Sequence, residues 1–492
     1  MKMIFTFYTP GRGIGICVLL AVLAAALPLR AQQTVPPPST EQQQPSTPTT
    51  NAPAATGEND ATQSEISTPP TMFPHPDKTW WFIAGQANFI SQVNPPFPAK
   101  YSGPHSFKND YEKATSRVLT LFTGAELNRG TEILVDVEET GGGGLSTALG
   151  LAGFVNLDVV RNPTIGQAPY LARAVFHHVF ALSKEKVESE RTPFNLFTEL
   201  PARRLEIRFG KFSTADFFDV NSAGSDSHSQ FMNWTVDNNG AYDYAADTRG
   251  YTVGAMADYE DLSWGVRFAE LLMPTVANGP DLQWNLRKAR SENVEFEWRK
   301  NFLRERAGVI RILGYSNQAN MGIYRVQNEL YLDGVTPTPE ITAHPEQVTT
   351  KYGFGFNFQQ MLTKDVMAFG RVGWNNGRTE SYCYTEVDQT VQVGVAVDGT
   401  QWKRQNDKAG AVFVSNAIKS DHQFYLAHGG LGFLLGDGAL SYGRETIFEG
   451  YYNLHIWRGI FAGVDLQHVN NPGYNRDRGP FFVPGLRLHM DL

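Results

Sequence analysis

The chain has 492 residues and carries 42 Lys and Arg against 50 Asp and Glu, a formal charge of −8. It has no Lys/Arg cluster of the kind that neutralises phosphates, which excludes nucleic acid as a partner. Charged residues make up only 19% of the chain while aromatics reach 12%. Soluble globular proteins carry about 25% charge, so this balance disfavours a water-facing enzyme and suits a membrane barrel with aromatic girdles.

The N-terminus reads as a secretory leader. Lys2 and Arg12 precede the apolar run Cys17–Leu27, which ends near the small residue Ala31. The run is too short to span a bilayer, and Cys17 does not fit a lipid-anchored cysteine because Ile16 is not small and the apolar run follows it. Residues 1–31 are expected to be a signal peptide, leaving Cys383 as the single cysteine of the mature chain and excluding an intramolecular disulfide framework. No later stretch is long and apolar enough for a transmembrane helix.

Residues 32–78 consist largely of Pro, Gln, Thr, Ser and Ala. Such a segment cannot bury enough apolar surface to offset the entropy of ordering, so a disordered periplasmic arm is predicted. It would serve as a spacer, with cell-wall or partner contact as the other reading.

From residue 79 to Leu492 the texture changes to short two-faced segments separated by Gly, Asn, Asp and Pro. In Trp81–Phe89, Trp81, Ile83, Ala87 and Phe89 share one face and Gln86 and Asn88 the other, which is strand period. Lys351–Gln359 is cleaner: Tyr352, Phe354, Phe356 and Phe358 oppose Lys351, Asn357 and Gln359. Leu205–Phe209, Leu262–Phe268, Val294–Trp298 and Leu486–Met490 repeat the pattern. Alternation also occurs in soluble sandwiches, but an exported chain of this length with aromatics on its apolar faces predicts an all-β transmembrane antiparallel β-barrel. At about 25 residues per strand and connection, about sixteen strands (sixteen to eighteen) result, enough to enclose an aqueous channel.

Energetics assign the faces. An Arg against lipid at mid-depth costs about 2–4 kcal/mol, so Arg173, Glu206, Arg208, Arg267, Glu295 and Glu297 are expected to point into the lumen, with Glu126, Asp136 and Glu138 on earlier strands. Neighbouring His177 and His178 face opposite ways in a strand and cannot chelate one metal ion; His177 joins the lumen set. Asp219–Gly224 begins like a calcium loop, yet Ala223 replaces a ligand and Gln230 stands where a bidentate Glu is required. Gly141–Gly144 lacks the spacing of a phosphate loop, and no G-x-S-x-G elbow occurs. No enzyme activity, metal or cofactor is expected, and the Pro/Gln arm cannot fold into the plug of an energised transporter.

Several segments carry a family resemblance: Gly85–Gln92 with Tyr101–Pro104, Gly210–Ser213 leading to Asp216–Asp219, and Gln230–Trp234. Asn238–Asp243, Tyr244–Thr252, Gly436–Gly438, Glu449–Tyr452, Asp465–Gln467, Asn471–Asn475 and Asp477–Pro480 extend it towards the C-terminus. These resemble the bacterial carbohydrate-selective porins from about Gly85 onward. The resemblance implies an outer-membrane channel passing glucose or other mono- or oligosaccharides by diffusion. Two features depart from the family: the terminal residue is Leu492 rather than an aromatic, and the Pro/Gln arm is additional.

Sugars need hydroxyl partners and an aromatic surface, held weakly. The inward Arg and Glu set supplies partners, and a polar loop from Asp216 to Tyr244 folding into the lumen would add Asn233, Trp234, Asn238 and Asp243. The competing functions are a general or anion-preferring porin and a barrel enzyme acting on lipid or glycan. The expected partners are sugars as permeants and outer-membrane lipid; monomer and homo-oligomer both stay open.

Overall fold

The computed structural model describes residues 71–492 apart from Asp77, residues 162–164 and Arg304; the expected leader and most of the arm, residues 1–70, lie outside the described residues. The strands follow in chain order as β1 Trp81–Asn94, β2 Glu112–Asn128, β3 Thr131–Gly142, β4 Tyr170–Ala181, β5 Lys186–Glu188, β6 Glu199–Pro201, β7 Arg204–Phe212, β8 Thr252–Glu260 and β9 Trp264–Leu271. They continue as β10 Arg290–Leu303, β11 Arg306–Ala319, β12 Thr349–Met361, β13 Val366–Asn375, β14 Gln389–Asp398, β15 Lys408–Ala417, β16 Glu445–Trp457, β17 Ile460–Asn470 and β18 Phe481–Asp491. All except β5 and β6 form one closed antiparallel barrel, so it has sixteen strands; β5 and β6 pair only with each other. Closure satisfies every strand edge, which a hydrocarbon medium requires. The seam runs from Gln86 opposite Asp491 to Gln92 opposite Gly485, and the backbone of the terminal Leu492 exchanges hydrogen bonds with that of Gly85.

The faces follow the alternation. On β12, Tyr352, Phe354 and Phe356 are exposed on the outside while Lys351 and Asn357 are buried within. On β18, Leu486 and Leu488 face out and Arg487 and His489 face in; on β7, Phe209 is 60% exposed beside buried Arg208. So many exposed apolar side chains would make a water-soluble protein aggregate, and against lipid they sit in their own medium. No helix among the described residues is long and apolar enough to cross a membrane; the strands do the crossing. One expectation is corrected in detail. Leu262 and Ser263 belong to a turn rather than a strand, because the Asp261 N–H donates to the Trp264 carbonyl at 2.9 Å and the Asp261 carboxylate accepts the Leu262 N–H at 2.7 Å.

The two ends differ. At the end where β1 begins and β18 finishes, residues 129–130, 261–263, 362–365 and 458–459 make short turns, as on the periplasmic side of outer-membrane barrels. Longer connections at this end are residues 399–407 and residues 182–203, the latter carrying β5 and β6. The described end of the arm lies against this rim: the Met72 N–H donates to the Asp491 carbonyl at 2.7 Å, and Arg191 donates to the Pro76 carbonyl at 2.6 Å. At the opposite end the connections are long, and two of them carry α2 Tyr324–Leu332 and α3 Ser420–Ala427. A third, residues 213–251, contains the short helix α1 Trp234–Asp237 and lies inside the barrel, almost wholly buried.

Candidate functional site: the barrel lumen

Strand register brings together charges far apart in sequence. Along one lateral row Glu206 of β7 faces Asp258 of β8, Asp258 faces Arg267 of β9, and Arg267 faces Glu295 of β10. The next row pairs Arg204 with Glu260, then reaches Glu297 across Gly265, then Arg311, Asn357, Arg371 and Gln392. Opposite charges thus alternate along and between strands.

The ion pairs follow from that lattice. Arg267 lies 3.4 Å from each of Asp258, Glu260, Glu295 and Glu297, and donates to the Phe217 carbonyl at 2.5 Å. Arg299 bridges Glu260 and Glu297 at 2.5 Å each, and Arg311 meets Glu297 at 2.8 Å. Arg204 and Arg208 both reach Glu206 at 2.6 Å. Five carboxylates (Glu206, Asp258, Glu260, Glu295, Glu297) face five guanidiniums (Arg204, Arg208, Arg267, Arg299, Arg311), so this wall is charge-balanced. Next to it His177 bridges Glu132 at 2.7 Å and Glu206 at 2.9 Å, while His178 on the other face bonds Thr131 at 2.8 Å. The two histidines share no site. Among the described residues no group of His, Cys, Asp and Glu is arranged to hold a metal ion.

Earlier strands continue the wall. Arg173 of β4 grips Asp216 with two bonds of 2.7 Å and reaches Asp136 at 3.3 Å. Asp216 is placed for this by a capping box, in which its carboxylate accepts the Ser213 N–H at 3.1 Å. Glu138 accepts from Thr120 and Tyr251 at 3.1 Å and from the Tyr170 hydroxyl. Glu126 lies half-buried near the periplasmic rim, with Arg191 and Glu132 as its charged neighbours.

The inner segment 213–251 faces this wall with aromatics. The Arg208 guanidinium lies over the Phe217 ring at 4.9 Å, and that of Arg173 lies 4.9 Å from Phe194 and 5.3 Å from Tyr251. Phe194 comes from the periplasmic connection, where Leu196 is fully buried and its N–H donates to Glu132 at 2.9 Å. Phe194, Phe217, Asp216, Arg173, Arg204 and Arg299 keep partial exposure inside the barrel.

A loop inside a barrel must find partners for its own peptide groups, and wall side chains supply them. Glu449 accepts the Met232 N–H at 2.5 Å, and Glu295 accepts that of Asp219 at 2.7 Å. Arg371 pairs with the Asp219 carboxylate at 2.8 Å and donates to the carbonyls of Val236, Asp219 and Asp237 at 2.6, 2.9 and 3.1 Å. Four residues expected to offer contacts to a permeant are packed into this segment. Asn233 caps α1 and donates to Gln467 at 3.0 Å; the Trp234 ring stacks on Tyr384 and donates to the Asn156 carbonyl at 2.8 Å. Asn238 donates to Asp237 at 2.6 Å. The Asp243 carboxylate accepts the N–H groups of Tyr382, Cys383 and Tyr384 and pairs with Lys351 at 3.3 Å. Apart from the Asn238 amide oxygen, their polar groups are spent on the protein itself. Arg204, Asp258, Glu260, Arg299, Arg311 and Arg371 were not singled out in the sequence, although Arg311 and Arg371 stand between apolar neighbours in strand period as Arg208 and Arg267 do.

A closed barrel with an apolar outside, a mixed-charge inside and a loop folded into its lumen defines a porin, a diffusion channel of the bacterial outer membrane. The sequence profile of the carbohydrate-selective porin, OprB family, matches residues 105–492, and the chain belongs to that family. It is a sugar-permeable channel. The structure is similar to that of Pseudomonas putida OprB at high pH, with a TM-score of 0.62 and 15% identity over 84% of this chain and 94% of that one. It is also similar to the outer membrane channel DcaP of Acinetobacter baumannii, with a TM-score of 0.46 and 10% identity over 84% and 97%. No curated relative matches in sequence.

Proposed function

We propose that sugars cross the lumen passively between the balanced charge wall of β7–β11 and the aromatic edge made by Phe194, Phe217 and Tyr251. Glu126, Asp136, Glu138, Arg173, His177, Glu206, Arg208, Arg267, Glu295 and Glu297 form the pathway wall, while Asn233, Trp234, Asn238 and Asp243 shape it by fixing the inner segment. The observation that carries this reading is the juxtaposition of guanidiniums with aromatic rings, at 4.9 Å for the partly exposed Arg173 over Phe194 and for the buried Arg208 over Phe217, with the partly exposed Asp216 carboxylate beside them. Guanidiniums donate to sugar hydroxyls, carboxylates accept from them, and rings cover the sugar's C–H surface. Because the five guanidiniums and five carboxylates of β7–β11 cancel, that part of the wall has no preference for ions of one sign that would compete with a neutral permeant. The pathway performs no chemistry, and residues 32–78 act as a periplasmic spacer.

Liposome swelling with a graded series of sugars and size-matched polyols tests the proposal. Glucose is expected to enter faster than a polyol of equal size, and alanine at Phe217 to abolish the difference while the channel stays open. Entry ordered by size alone overturns sugar selectivity. A single alanine variant that abolished turnover of a lipid or glycan substrate, with conductance intact, favours the enzyme reading instead.

A further inference from the structure

The outer wall of the barrel carries a second built site, on the side facing away from the pore. A cavity of about 330 Å³ opens where the outward face of β12 and β13 meets the long loops, lined by Arg325, Arg378, Lys419 and Asp421 above Tyr352 and Trp374. Tyr352 is half exposed, and Trp374 stacks on the outward Phe354 at 5.5 Å. These rings mark the level at which the apolar wall ends and the polar interface begins.

The charge above them is one-sided. Lys419 lies over the Trp374 ring at 4.9 Å. Among the described residues the exposed Arg378 guanidinium makes no ion pair or hydrogen bond, and the Asp421 carboxylate serves only Arg325, at 3.1 Å. Three cations therefore meet one acid. Ser420 and Asp421 open α3, so the positive end of that helix also points at the cavity. The site stands at the end with long loops, which faces outward from the cell. There the surrounding leaflet of such a membrane is built from a phosphorylated glycolipid.

We propose that this cavity binds the phosphorylated headgroup of an outer-leaflet glycolipid, with Arg378, Lys419 and Arg325 on the phosphate and Tyr352 and Trp374 against the first acyl carbons. Basic pockets at the membrane surface hold anionic headgroups in this way. A soluble anion would use the cations but have no need of two rings that face lipid.

The test is native mass spectrometry of the detergent-purified full chain with diphosphorylated lipid A as probe. Wild type is expected to retain one lipid A, and Arg378→Ala/Lys419→Ala to hold it about 25-fold more weakly, about fivefold for each cation removed. Retention in wild type is also expected to fall as salt rises, a readout that needs no variant. Conductance should be unchanged, since neither side chain reaches the lumen. Equal retention of fully dephosphorylated lipid A overturns the proposal, as does an unchanged double variant. Competition by inorganic phosphate at the lipid's own concentration assigns the site to soluble anions. A shift to dimers or trimers in place of lipid adducts makes the face a contact between copies.

Discussion

Arg267→Met removes the one cation that touches four carboxylates and keeps most of the side chain's volume. The ten-charge wall then holds five acids against four guanidiniums, a net charge of −1 where it had none. A unit charge about 5 Å from an ion in water changes the ion's energy by about 0.8 kcal/mol, about fourfold in occupancy and of opposite sign for cation and anion. The cation-over-anion permeability ratio should therefore rise about sixteenfold. Reversal potential in a tenfold KCl gradient reads this directly in planar bilayers. The shift should collapse near 1 M salt, where the screening length is about 3 Å. Breaking a buried network from one side can cost about 3–5 kcal/mol, so heat-modifiable migration on gels must first show a folded barrel. Arg299, Arg311 and Arg208 still neutralise Glu260, Glu297 and Glu206, which favours folding. A folded variant with an unchanged reversal potential would place the wall off the ion path and refute the reasoning.

Arg371→Met should loosen the inner segment, because one guanidinium holds three of its carbonyls and the Asp219 carboxylate; the lost contacts leave about 3–5 kcal/mol of uncompensated burial. Larger single-channel conductance, weaker sugar discrimination and new protease cleavage between residues 213 and 251 are the expected readouts, and unchanged conductance would count against that segment shaping the pathway. Replacing Phe194 with Ala should weaken sugar block of ion current about two- to twelvefold with little change in conductance, since stacking contributes about 0.5–1.5 kcal/mol and the charges stay in place. Glu380, in the loop 376–388, is pushed up to about 7 by burial, with the Gly322 N–H and Lys351 opposing. A carboxyl raised in the folded state favours docking when protonated, so the loop's stability is highest below about pH 4.5 and declines as pH rises through 7. Hydrogen exchange in residues 376–388 should speed up across that window in wild type, and much less in Glu380→Gln; equal slopes in both would assign the dependence elsewhere.

Period-two alternation is a local property, which is why β12 and β18 could be read from Tyr352–Phe358 and Leu486–Met490, and why the cost of an Arg in lipid turned Arg208 and Arg267 inward before any contact was known. Register is not local. That Arg267 meets Asp258 on one side and Glu295 on the other depends on the alignment of three strands, and nothing in the Leu262–Phe268 stretch encodes it. The inner segment shows the opposite limit. Asn233, Trp234, Asn238 and Asp243 stand out as polar or aromatic loop residues, yet polarity does not say whether a group faces water or a peptide N–H. Asp243 meets three backbone N–H groups from residues 382–384, a contact across more than a hundred positions. The hairpin of β5 and β6 left no alternating pattern because each strand has only three residues.

The balanced wall also accounts for how a channel can attract sugars and still release them. A single unpaired Arg would hold anions and, in a narrow lumen, be blocked by them. Pairing each guanidinium with a carboxylate cancels the long-range field yet leaves short-range donors on the partly exposed Arg173, Arg204 and Arg299 and acceptors on the carboxylates they pair with. A sugar hydroxyl exchanging one such bond for water gains only about 1–3 kcal/mol. Several weak contacts together with a ring face keep the molecule in the lumen without trapping it. Fixing the inner segment through Arg371, Glu295 and Glu449 matters for the same reason. Weak contacts discriminate between molecules only when the opposing surfaces stand at a constant distance, and a mobile loop would spread that distance and reduce selection to size.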